Sequence, residues 1–163
     1  MRKFALSLMV LFVVVGLLAP APAAAQAKPT VLKIQASFPA GSLIYTSVLP
    51  VFAERVEKAS GGRLKIEHLP AGSIVPAFEV VDATNRGVLD GAYTCTYYYI
   101  GKHRAAALFT DVPGGPFGLD TFDYMSWHYE GGGLQLLNDF YQNILKMNIV
   151  AFPIFPTTPQ AFG

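Results

Sequence analysis

The chain has 163 residues, with 12 lysines and arginines against 11 acidic residues and a single cysteine. Near-neutral charge excludes the basic field that nucleic acid or an anionic lipid surface would require. One cysteine excludes an internal disulfide, so stability has to come from a packed core rather than from the cross-links of small secreted toxins and growth factors.

The N-terminus reads as an export address. Arg2 and Lys3 precede a nearly unbroken apolar run from Phe4 to Leu18, followed by Pro20, Pro22 and the small-residue stretch Ala23-Ala24-Ala25-Gln26-Ala27. Basic start, apolar core and A-x-A site in that order predict a secretory signal peptide over residues 1–27, cleaved after Ala25 or Ala27. A membrane anchor is the alternative. The run reaches only about 22 Å as a helix, short of a hydrocarbon core of about 30 Å. Loss of Arg2 and Lys3 leaves 10 basic against 11 acidic residues, still without a basic field.

The elements follow in order. Val31 to Ser37 alternates and predicts a strand, and Phe38-Pro39-Ala40-Gly41-Ser42 a loop. A helix follows with Ile44, Val48, Phe52 and Val56 as its apolar stripe and Glu54, Arg55, Glu57 and Lys58 toward water. Pro50 either sits in its first turn or kinks it, and Ser60-Gly61-Gly62 ends it. Arg63 to Leu69 predicts a second strand, and a helix opens at Pro76 and stops at Gly87. Asp90 to Thr96 predicts a third strand. The β-α-β-α-β order implies an α/β fold with a parallel sheet. Beyond Tyr97-Tyr98-Tyr99, Ala106 to Val112 is another strand candidate. Pro113 to Gly118 is the strongest breaker, helices are expected at Thr121–Tyr129 and Leu134–Lys146, and a last strand at Asn148–Phe152. The closing loop Pro153 to Gly163 leaves an unpaired edge, which predicts a truncated chain.

Catalytic signatures are missing. His68, His103 and His128 lack metal-ligand spacing, and His128-Tyr129-Glu130 lacks the P-C-x-x-C partner of a zinc deaminase. There is no nucleophile elbow, Walker loop or dinucleotide fingerprint. Gly131-Gly132-Gly133 is read as a helix start rather than an anion cradle. Glu79 and Asp82 are read as a solvated helix face, and Cys95 as a small buried hydrophobe.

Parallel α/β sheets bind ligands beyond the carboxyl ends of their strands. Three loops leave such ends: Phe38 to Gly41, Ala71-Gly72-Ser73, and Tyr97 to Tyr99. Aromatic walls and small polar groups there suit a small carboxylate. The same rings also suit simple packing of helix ends, and the residues alone leave both readings open.

The motifs in sequence resemble one family. Ser37-Phe38-Pro39, Phe52-Ala53-Glu54-Arg55-Val56 with Ser60-Gly61-Gly62-Arg63, Ala71 to Pro76, Val81-Asp82-Ala83 with Gly87, Tyr97 to Lys102, Pro116 to Leu119, and Gly131 to Gly133 with Leu136 to Tyr141 are similar in order and spacing to the substrate-binding proteins of TRAP (tripartite ATP-independent periplasmic) transporters. The branch that binds 2-oxo acids and related monocarboxylates is the most similar. The resemblance implies a periplasmic binding protein-like, two-lobed fold. Residues 28–118 would form the N-terminal lobe, and residues 119–163 the crossover helices and the first strand and loop of the second. It implies a non-enzymatic periplasmic receptor that delivers its ligand to membrane permease subunits and meets the membrane only through them. Phe38, Tyr97, Tyr98, Thr157 and Thr158 are the ligand-binding residues it implies. Gln160 is the residue implied to hold a sodium or calcium ion bound together with the carboxylate, with no other cofactor. The glycine-poor run Phe155-Pro156-Thr157-Thr158 departs from many relatives, which bears on the substrate. The family's arginine for the carboxylate has no counterpart up to Gly163, so residues 28–163 by themselves are expected to bind ligand poorly. A binding protein of an ATP-driven importer, and a secreted α/β enzyme, are the competing classes.

Overall fold

Three parallel strands carry the molecule. In the computed structural model, which describes residues 28–110 and 118–153, β1 (Thr30–Ala36) lies between β2 (Leu64–Leu69) and β3 (Gly91–Tyr93). β1 pairs with β2 along six residues, from Thr30 opposite Leu64 to Gln35 opposite Leu69. It meets β3 only through Ile34, Gln35 and Ala36. Asp90 sets that second register by exchanging two bonds with the Lys33 backbone. Its N–H donates to the Lys33 carbonyl at 3.0 Å, and its carboxylate accepts the Lys33 N–H at 2.8 Å. The expected parallel α/β order is present. β3 is shorter than the predicted Asp90–Thr96, because Thr96 already opens a 3-10 turn over Thr96–Tyr99.

Helix α1 joins a π turn, Ile44–Val48, to an α segment, Leu49–Ala59. Pro50 explains the junction. Its ring crowds the carbonyl four residues back and it has no N–H to donate, so the preceding turn widens and the Leu49 N–H reaches Ile44 instead. Both alternatives for Pro50 are therefore partly right. The C-terminus closes as a Schellman motif, with Gly62 N–H on Glu57 at 2.8 Å and Gly61 N–H on Lys58 at 3.1 Å. Gly61 and Gly62 both hold positive φ, 62° and 77°, where a side chain would be strained. Helix α2 (Val80–Asn85), entered through a 3-10 turn at Ala77–Glu79, ends the same way at Gly87. Glu79 is exposed as expected, whereas Asp82 is partly covered and pairs with Lys102.

Two predicted strands are not strands. Arg104–Phe109 is a 3-10 helix, capped by the His103 ring, which accepts the Ala105 N–H at 3.2 Å. Ala106 and Phe109 are its buried residues, and a spacing of three matches a 3-10 turn rather than a pleat. Asn148–Phe152 joins no ladder among the described residues. Helix α3 (Thr121–Tyr129) has the predicted bounds, with the Asp120 side chain capping Asp123 N–H at 2.9 Å. Helix α4 (Gly133–Asp139) runs on into a π turn, Phe140–Ile144.

The glycine triplet before α4 is a packing device. Gly132 holds φ 82°, and a Cβ on Gly133 would lie 2.8 Å from the Trp127 ring. The helix start is as expected; its cause is the close approach of Trp127. The core gathers on the α2 side of the sheet, from Val80, Val81, Leu89, Phe109, Leu137 and Phe140 among others. Cys95 is fully buried. The signal-peptide segment, Asp111 and Val112 of the Ala106–Val112 candidate, the breaker at residues 113–117 and the loop beyond Pro153 lie outside the described residues.

Candidate functional site

The carboxyl ends of the three strands are tied together by side chains at the end of β1. Gln35 and Ser37 stand on the face that also carries the exposed Val31 and Lys33, yet both are buried, because the loop after β2 folds over them. The Gln35 carboxamide donates to the Val75 carbonyl at 2.6 Å and accepts the N–H groups of Ile74 and Val75 at 2.9 and 3.2 Å. Ser37 donates its N–H to the Tyr93 carbonyl at 2.9 Å. Its hydroxyl lies 2.6 Å from the Ala77 carbonyl and 2.7 Å from Thr94 Oγ1. A serine has one hydroxyl proton, so with that proton on Ala77 the Thr94 hydroxyl is the donor in the second contact. Ala71 N–H closes the set on the Phe38 carbonyl at 2.9 Å.

This clasp places the aromatic residues at the mouth of the crevice. The Phe38 ring packs on Tyr93 with centroids 6.0 Å apart. Tyr98 meets Tyr97 at 4.4 Å and Phe78 at 5.0 Å, both edge to face. Phe38, Tyr97 and Tyr98 are all half-buried. They form two aromatic groups on neighbouring strand ends, one around Phe38 and one around Tyr98. The third tyrosine of the run differs from its neighbours. Tyr99 is 2% exposed, and burial pushes its phenol up to about 12.

The sequence reading missed Gln35, Ser37, Thr94 and Phe78. No signal near the first two marks them: they continue the water-facing side of an alternating strand, and the loop after β2 that covers them lies 40 residues further on. Thr157, Thr158 and Gln160 lie outside the described residues.

A cavity of about 460 Å³ lies elsewhere, beneath α1 and beside β3, between Ile34, Leu49 and Phe52 on one side and Ile149 on the other. Tyr93 and Thr94 border both spaces, but Phe38, Tyr97 and Tyr98 do not line the cavity. No Lys, Arg, Asp or Glu side chain is among its described lining residues. Its walls are mostly apolar, with His68 and several hydroxyl-bearing side chains, Thr84, Thr96 and Tyr141 among them, as the polar groups.

The described residues do not by themselves fit a cation. Among them no three His, Cys, Asp or Glu side chains converge. The Ser37 and Thr94 hydroxyls, the oxygens nearest the strand ends, are engaged with each other and with Ala77. A sodium or calcium ion needs several free oxygens.

Residues 35–153 match the family described as bacterial extracellular solute-binding protein, family 7. The chain is 40% identical over 111 residues to a monocarboxylate 2-oxoacid-binding periplasmic protein of Nostoc sp., which takes in 68% of this chain and 29% of that protein. It is also similar to a TRAP transporter solute binding protein from Bordetella bronchiseptica, described with copurified calcium and picolinate. There the TM-score is 0.65 at 30% identity, covering 76% of this chain and 35% of that one. A TRAP periplasmic solute binding protein from Pseudoalteromonas atlantica, with bound sodium and pyruvate, gives a TM-score of 0.63 at 26% identity, covering 71% and 34%. The chain thus spans about a third of the length of the relatives it matches. Its parallel sheet and flanking helices are part of a periplasmic solute-binding fold, and the chain belongs to family 7 of the bacterial extracellular solute-binding proteins.

Proposed function

We propose that this chain is part of an extracytoplasmic receptor that captures a small organic monocarboxylate, of the 2-oxo acid kind, and delivers it to a TRAP-type membrane permease. The observation that carries the reading is the strand-end clasp. Gln35 and Ser37 hold three loops of a parallel sheet together, and half-buried aromatic rings flank them where such sheets take ligands. The pyruvate and picolinate of the two structural relatives, and the 2-oxo acids of the Nostoc protein, support the same chemical class.

In this reading Phe38, Tyr97 and Tyr98 form the apolar wall against the ligand carbon, and Thr157 and Thr158 supply hydroxyls to its oxygens. Gln160 helps hold a sodium or calcium ion beside the carboxylate. Residues 28–118 form one lobe and residues 119–163 cross into the second. The protein works in the periplasm after removal of residues 1–27, and it binds without catalysing a reaction.

Titration calorimetry of the whole receptor of which this chain is part, without residues 1–27, with pyruvate in sodium and then calcium chloride, tests the proposal. Saturable binding supports it. Absence of binding to pyruvate, lactate and larger 2-oxo acids in either salt overturns it.

A further inference from the structure

Residues 148–152 are extended but bonded to a helix. Ile149 and Ala151 are half-buried against the core, while Val150 and Phe152 are exposed, the period of two expected of a strand. No strand pairs with the segment among the described residues; side-chain amides do. Asn138 of α4 accepts the Ala151 N–H at 2.8 Å and donates to the Ala151 carbonyl at 3.0 Å. Gln142, one turn on, donates to the Ile149 carbonyl at 2.9 Å. Asn85 at the end of α2 accepts the Asn148 N–H at 2.8 Å.

The geometry explains why a helix can template an extended chain here. Four helical residues advance about 6.0 Å, and two strand residues about 6.6 Å. Amides at positions 138 and 142 therefore meet backbone groups at 151 and 149, antiparallel and in step. Residues 149 and 151 turn their N–H and C=O groups to the same side, so one edge faces the helix. The Asn138 amide has no slack. Its second N–H donates to the Leu134 carbonyl at 2.9 Å, so two hydrogens and one oxygen are all used. Turning the amide over would aim its oxygen at two carbonyls.

We infer that Asn138 and Gln142 are positioning residues that set the register of residues 149–153, and thereby tune ligand affinity and selectivity without touching the ligand. This rests on the receptor reading above, in which Thr157, Thr158 and Gln160 follow directly from that segment. A one-residue slip would turn the edge now facing α4 away from it. Asn138 locks against such a slip because it pairs with both the donor and the acceptor of one residue.

The test uses two readouts on the whole receptor without residues 1–27. Hydrogen exchange reads the clamp: Asn138→Ala and Asn138→Asp should speed exchange at residues 149–152 at least tenfold, with α1 and α2 unaffected. Calorimetry with pyruvate and with 2-oxobutyrate in calcium chloride reads the consequence. Pyruvate affinity should fall about tenfold in Asn138→Ala and about threefold in Gln142→Ala, and the ratio of the two affinities should change. General destabilisation would leave that ratio intact. Asn143→Ala, which removes a bond only to Asp139 on the helix, serves as the control and should match wild type. Unchanged exchange at 149–152 overturns the clamp. Faster exchange with unchanged affinities and ratio overturns its role in binding, while the receptor reading stands. If the wild type binds neither acid, the receptor reading and the tuning role fall together, and exchange alone decides the clamp.

Discussion

Gln35 holds Val75 by both of its backbone groups: the carboxamide donates to the Val75 carbonyl at 2.6 Å and accepts the Val75 N–H at 3.2 Å. A fully buried glutamine that copies the hydrogen bonding of a neighbouring strand thereby fixes the loop that follows β2. The loop cannot shift without leaving polar groups unpaired away from water.

Replacing Gln35 by Met keeps the length and removes every bond. The carbonyl of Val75 and the N–H groups of Ile74 and Val75 lose their partner, which should destabilise the fold by about 2–4 kcal/mol. Urea unfolding should show this as a lower midpoint with an unchanged slope. A midpoint equal to wild type would mean the loop is held by other contacts.

His128 predicts acid sensitivity. It is 1% exposed, both ring nitrogens lack a protein partner, and its ring packs on Tyr124 at 4.5 Å and Trp127 at 4.7 Å. Burial holds its pKa below the ordinary 6.5. The unfolded chain therefore takes up a proton more readily than the native state. Stability should be at its full value above about pH 6.5 and fall as pH drops below it, by at most about 1.4 kcal/mol per pH unit. His128→Phe should flatten that slope between pH 5 and 7 in denaturant titrations. A slope as steep as wild type would assign it to other groups.

Gly133→Ala should cost about 1–3 kcal/mol, since the new methyl would press on the Trp127 ring. Trp127 is the only tryptophan, so its fluorescence reports the site directly. The expected result is a red-shifted emission with a lower unfolding temperature. In a Trp127→Leu background the same substitution should cost less, and an equal cost would place the strain in the backbone instead.

At the crevice, Tyr98→Ala and Phe38→Ala should each weaken pyruvate binding about tenfold, a loss of roughly 1.4 kcal/mol, while Tyr99→Phe should leave affinity unchanged. Tyr99 is a core residue, so its phenol is not available to ligand. Calorimetry on the three variants distinguishes them. Equal losses in all three would point to unfolding rather than to a binding wall.

The sequence was most legible where local chemistry decides. Alternation located β1 and β2, and the glycines at 61, 62 and 87 marked helix ends because Schellman closure there demands positive φ. The order of the elements implied a parallel sheet, and Phe38, Tyr97 and Tyr98 lie at its strand ends as the loops suggested. Hydrophobicity alone misled at Ala106–Phe109, where spacing by three outweighed apolar content, and at Asn148–Phe152, where the pattern of a strand is real but its hydrogen bonds go to a helix.

What tertiary structure alone decided is which polar residues are inside. Gln35, Ser37, Asn138 and His128 are unremarkable letters in a sequence, since nothing local says whether water or protein will meet them. Three of them acquire their roles from a segment distant along the chain: Val75 for Gln35, Thr94 for Ser37, Ala151 for Asn138. The sequence by itself determined β1 and β2, the helix stops and the family resemblance, because those depend on backbone propensity and residue order. The clasp at the strand ends and the amide-held strand depend on burial, and burial is a property of the folded whole.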